Sequence, residues 1–168
     1  MAPRDETKRQ SSNGNVVSAM LDHARRPIIR PASAAERWAM YVFRACAAVG
    51  DPKTLEAWAG CVGVSYSSLR ESCSLLGIRP HDARDLTRML RVVMRSTLDE
   101  CPPSALLDVS DSRTLRSLLE RSGVAAAAYP VEVSVEEFLS RQRFVPTSNA
   151  GLRALRTLLT SAGGRPSL

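Results

Sequence analysis

Between residues 33 and 98 apolar positions recur every three or four residues, the period of helices with one buried face. Over 33–49, Trp38, Tyr41, Val42, Ala45 and Val49 form one such stripe. Ser33 followed three residues later by Glu36 is a capping box that opens this helix, and Gly50 with Asp51-Pro52 closes it. A second helix is predicted over 54–62, with Thr54 as N-cap and Leu55, Trp58, Ala59 and Val62 facing inward. Gly63 ends it. Ser65 then caps a third helix over 66–76, in which Leu69, Cys73 and Leu76 share a face. After Gly77, Pro80 suits the first position of a fourth helix reaching about Leu98, and Asp82 and Asp85 sit near its positive end. Leu86, Met89, Leu90 and Val93 mark its buried side. Arg84, Arg88, Arg91 and Arg95 fall together on the other side at ~100° per residue, as a basic, solvent-facing ridge.

Outside this block the periodicity fades. Residues 1–15 are polar without a stripe and read as disordered. The stretch 15–31 holds at most a short helical turn, broken by Pro27 and Pro31. Residues 1–32 are therefore expected to be a disordered basic tail or linker, with Arg25, Arg26 and Arg30 available as a phosphate or minor-groove arm. Beyond Pro102-Pro103 the sequence predicts a helix near 111–122 ending at Gly123. A second Ser-x-x-Glu capping box, Ser134 with Glu137, opens a short helix to about 142, and a last helix runs near 148–161. Residues 129–133, YPVEV, read as extended. The expected organisation is a tail at 1–32, a helix-turn-helix domain at 33–98 and a small helical region at 99–168, all-α throughout.

The spacing within 55–69 gives the central pair of helices its meaning. Counted from Leu55, Ala59 is fifth, Gly63 ninth, Val64 tenth and Leu69 fifteenth, the register of a helix-turn-helix. Ala59 is small where the second helix crosses the first, and Gly63 occupies a turn in which a Cβ is strained. The eighteenth position, usually apolar, is Ser72, and Cys73 beside it takes the core role. A helix in this place offers its outward residues to a DNA major groove. Here those are Ser65, Tyr66, Ser67, Ser68, Arg70, Glu71 and Ser74. Arg70 suits guanine O6 and N7, Glu71 suits the cytosine amino group, and the serines suit phosphates. Arg84 and Arg88 from the ridge are the expected backbone contacts.

The run ERWAMYVFRACAAVGDPKTLEAWAGCVGVSYSSLRESCSLLGIRP resembles the first half of the DNA-binding domain of AraC/XylS regulators. The shared features are a lead helix, Asp-Pro-x-Thr-Leu-Glu, a Val-Gly-Val-Ser turn with Leu four residues on, and Gly-Ile-x-Pro opening a long helix. The resemblance spans about residues 33–95 and implies a transcriptional regulator with two helix-turn-helix units joined by that long helix. The second unit would fall in SRTLRSLLERSGVAAAAYP, where four consecutive alanines offer no base-reading side chains and Pro130 breaks the helix. It reads as absent or degenerate. A lone unit binds weakly, so a homodimer or a partner regulator is expected beside double-stranded DNA.

Composition trims the alternatives. The chain has 168 residues, is 44% hydrophobic but only 5% aromatic, and carries a formal charge of +6, which favours anionic partners. Four cysteines show no Cys-x-x-Cys spacing, and the only histidines are His23 and His81, so no metal or cofactor site is expected. No apolar run matches the ~18 residues or more of a membrane helix, and no secretory leader is seen, so the default location is cytoplasmic. No nucleophile, base and orienting group can be assembled, and the chain is not expected to be an enzyme. The competing reading is a protein-interaction adaptor built on the same helical fold.

Overall fold

In the computed structural model, residues 6–25, 33–99, 101–124 and 133–163 are described, and among them all regular structure is helical. The Ser33 capping box forms as the spacing requires. The Ser33 hydroxyl accepts from the Glu36 amide and the Glu36 carboxylate accepts from the Ser33 amide, each at 3.1 Å. It opens α2 (Ala34–Cys46), which buries Trp38, Tyr41, Val42, Phe43, Ala45 and Cys46. The helix stops there, one turn short of the expected end. Val49, assigned by its spacing to the buried stripe, lies beyond the cap and is 89% exposed.

The next two helices, α3 (Leu55–Val62) and α4 (Tyr66–Leu75), are joined through Gly63. Gly63 has φ of 71°, a left-handed conformation that glycine adopts without a Cβ penalty. The turn is closed by two amides, from Gly63 to the Gly60 carbonyl and from Val64 to the Ala59 carbonyl at 3.1 Å. Thr54 and Ser65 cap the two N-termini through their hydroxyls. Ala59, Val62, Leu69 and Cys73 are buried where the helices meet, and Ser72 is buried beside Cys73 with its hydroxyl bonded to the Ser68 carbonyl. A second left-handed glycine, Gly77, ends α4 in the same manner.

The long α5 (Pro80–Asp99) then runs through the middle of the molecule, against α2, α3, α4 and most later helices. Its supposed polar ridge faces inward. Arg88 and Arg91 are 4% and 2% exposed. Arg88 forms a forked pair with Asp51, Nε to Oδ1 at 2.9 Å and Nη2 to Oδ2 at 2.6 Å. Arg91 donates to the carbonyls of Ala48, Val49 and Leu106, and Arg95 to that of Ala48. These guanidinium groups satisfy the carbonyls left open past the end of α2.

Short α6 (Pro103–Leu106) follows, unexpected from periodicity. Then come α7 (Ser112–Ser122), capped by Asp111 and ended by left-handed Gly123, and α8 (Val135–Arg141). Ser134 caps α8 as expected, accepting from the Glu137 amide, while the Glu137 carboxylate pairs with Arg141. The last helix, α9 (Ala150–Gly163), packs along α2. A Cβ on Gly151 would stand 2.7 Å from the Trp38 ring and 2.8 Å from Leu76 Cδ1, so glycine permits this approach. Asn149 ties the corner, donating to the Leu76 carbonyl at 2.9 Å and accepting from the Gly151 amide at 2.8 Å.

Residues 6–24, expected to lack structure or to hold one turn, form the helix α1 (Glu6–Ala24). Val17, Met20, Leu21 and Ala24 bury one side of it against α9, α5 and α2. The candidate second unit cannot be followed, because 125–132 lie outside the described residues. So do the extended reading of 129–132 and the arm residues Arg26 and Arg30. Arg25 is exposed and pairs with Asp22.

Candidate nucleic-acid interface

The α3–Gly63–α4 turn sets which side of α4 meets solvent. Leu69, Ser72 and Cys73 turn inward, and Tyr66, Ser67, Arg70, Glu71 and Ser74 turn outward. These five line one side of an open groove of about 570 Å³, whose far side is Gly77, Ile78, Arg79 and Pro80. Arg70 lies over the Tyr66 ring, 5.6 Å from its centroid, a cation–π contact across one helical turn.

The remaining sequence candidates divide. Ser65 is exposed, but its hydroxyl is engaged as the cap of α4, bonded to the Ser68 amide at 3.1 Å and the Ser68 hydroxyl at 2.9 Å. Ser68 is half-buried and belongs to that cap. Arg88 is a correction: it is sealed in the interior with Asp51, whose side chain is 2% exposed, and it offers nothing to a ligand. Arg84 is only partly accessible and donates twice to Asp85, at 3.0 and 2.7 Å. From Arg88 to Arg95 the ridge is thus internal scaffolding, for a physical reason. Arginines spaced along a helix bury readily when a carboxylate and several unsatisfied carbonyls wait opposite them.

A second group of basic residues beside the groove escaped the sequence reading. Arg79 on the α4–α5 link, His81 on α5, Arg121 on α7 and Arg143 after α8 converge with Asp82 around one open concavity. Arg121 bridges to Asp82 at 2.5 Å and Asp85 at 3.5 Å, and its guanidinium stacks 4.5 Å from the Phe144 ring centroid. Arg79 pairs with Asp82 at 2.6 Å while its side chain stays 84% exposed. Arg143 is exposed and donates to the Glu120 carbonyl at 2.9 Å. A Gly-Ile-Arg-Pro link does announce Arg79, but nothing local announces Arg143.

Three of the thiols are held in the protonated form. Burial pushes Cys46 up to about 12 and Cys73 up to about 11, and the thiol of exposed Cys61 is also raised, chiefly by desolvation. Among the described residues no set of His, Cys, Asp and Glu comes together to hold a metal, and no helix is long and apolar enough to cross a membrane. Scanned against protein-family models, curated proteins and solved structures, the chain matches none.

Proposed function

We propose that this chain is a DNA-binding transcriptional regulator that inserts α4 into the major groove. The observation that carries the reading is the α3–Gly63–α4 unit: a left-handed glycine between two capped helices, leaving Tyr66, Ser67, Arg70, Glu71 and Ser74 together on the open side of the second. In this reading Arg70 donates to guanine O6 and N7, Glu71 accepts from the cytosine amino group, and Ser67 and Ser74 reach phosphates or bases. The resemblance of residues 33–95 to AraC/XylS regulators supports the same reading. One such helix reads few base pairs, so a second copy or a partner regulator completes the binding unit.

Titration of the protein against a randomised duplex pool, with the bound fraction sequenced, tests the reading. Enrichment of a discrete motif is the expected result. Against that motif, Arg70→Ala lowers affinity by roughly 1–3 kcal/mol and relaxes preference at one base pair. Unchanged affinity of the variant for the enriched site, with its preference at every base pair intact, overturns the role of Arg70, and failure to bind any duplex at low salt overturns the whole reading. A protein-interaction adaptor is the reading that would then stand, favoured by Leu75, a large apolar side chain 60% exposed on α4.

A further inference from the structure

The α4 groove has two neighbours that share one of its lining residues. Arg79 lines it, and also lines two further concavities, one bounded by Gln142–Thr147 and one by His81, Asp82, Arg121 and Arg143. Three depressions that share Arg79 are thus grouped around that side chain, between the outward face of α4 and the loop after α8. The depression farthest from α4 is basic: the guanidinium groups of Arg79, Arg121 and Arg143 line it with the single carboxylate of Asp82, and Asp85 backs Arg121. Arg143 has no carboxylate partner among the described residues.

This depression is also rigidly built. Buried Gln142 pins its loop by donating to the Val145 carbonyl at 2.7 Å and accepting from the amides of Phe144 and Val145 at 2.8 and 3.0 Å. The Arg143 amide donates to the Arg121 carbonyl at 2.8 Å, which fixes the loop to α7. The side chain of Arg121 is clamped between Phe144 and the two aspartates. Asp82 and Asp85 keep Arg79 and Arg121 in place, and with Arg143 they leave an excess of positive charge facing solvent. Pre-ordered guanidinium groups of this kind suit phosphate oxygens, which they meet through two N–H groups at once.

From this geometry we infer that Arg79 and Arg143 form a phosphate clamp that holds the DNA backbone alongside the groove entered by α4. The inference rests on the DNA-binding reading above and extends it: the segment after α8 becomes part of the binding surface. The clamp positions the duplex and does not read bases, so its loss weakens all sequences alike.

The test compares wild type, Arg143→Gln and Arg79→Gln by anisotropy titration against the enriched duplex and an unrelated duplex at 50 to 200 mM salt. Each variant is expected to make the slope of log affinity against log salt shallower, by about 0.9 for every phosphate the protein no longer neutralises, with the preference for the enriched duplex unchanged. Circular dichroism melting checks that both fold. Arg79 is the safeguard here, because its side chain is largely in solvent and its removal leaves the core intact. Wild-type slopes in both folded variants, while the protein still enriches a motif, overturn the clamp and leave the α4 reading standing. No binding of either duplex by wild type overturns both. A variant that loses preference for the enriched duplex with its slope intact is reading bases, and that also overturns the clamp.

Discussion

Arg88 and Asp51 show how little the type of a residue says about its surroundings. Both belong to the most water-seeking side chains, yet they form a forked, hydrogen-bonded pair that is almost wholly enclosed. The Asp51 carboxylate also accepts from the Asp108 amide at 2.8 Å, so its oxygens are well satisfied. Such a pair adds little over a well-packed apolar one, but breaking it strands a charge in a poorly solvated place. Asp51→Ala is therefore expected to destabilise the protein by about 3–5 kcal/mol. Urea denaturation checks this as a lower midpoint with an unchanged slope. Adding Arg88→Met should recover much of the loss, since the stranded cation is gone. A loss below about 1 kcal/mol for Asp51→Ala alone means that water reaches Arg88. The inward turn of Arg88 was not legible in the sequence. A guanidinium at helical spacing looks the same whether its partner is solvent or a carboxylate 37 residues away.

At the scale of elements, what could be read was what is decided locally. The caps Ser33, Thr54, Ser65 and Ser134 and the left-handed turns at Gly63, Gly77 and Gly123 depend on a few adjacent residues, and they form where the sequence places them. The outward set of α4 followed from the same local geometry. Helix α1 escaped because its stripe is short: among its described side chains Val17, Met20, Leu21 and Ala24 are buried, and the sequence before them is polar and gives no period. Arg143 escaped because its position depends on a loop folding back onto α7. Glycines divide along the same line, which makes them a test. At Gly63 a Cβ meets nothing within 4 Å, so Gly63→Ala carries only the left-handed strain, roughly 1–2 kcal/mol. At Gly151 the strain is steric, because the added carbon meets the fully buried Trp38 ring. Overpacking there outweighs the better helix propensity of alanine, for a net loss of about 1–3 kcal/mol. Thermal melts of both variants decide it. A Gly151→Ala protein that melts above wild type means that α9 does not approach α2 this closely.

For the molecule as a whole, one question is whether the helices that carry the candidate interface hold together without those that follow. Trp38, Trp58, Leu69, Leu86 and Leu90 share a single buried cluster with Leu152, Leu155 and Leu159 of α9. Fully burying a leucine is worth roughly 1.5–3 kcal/mol, so these three side chains account for about 5–9 kcal/mol. The net stability of a domain is only about 5–15 kcal/mol. Losing α9 would also uncover Trp38 and the last carbonyls of α4, where Asn149 now donates to Leu76. A chain ended after Thr147 is thus expected to lose cooperative unfolding, to show flattened near-ultraviolet dichroism from its tryptophans, and to bind a hydrophobic dye while keeping much of its helix signal. The full chain should show none of these. A shortened chain with a sharp melt and native tryptophan dichroism means that residues before 148 form a self-sufficient unit, with α9 an accessory to it. The distinction bears on function, because the loop carrying Arg143 leads directly into Asn149 and α9. If α9 is needed to fix α2 and α4, the proposed interface is then a property of the whole chain.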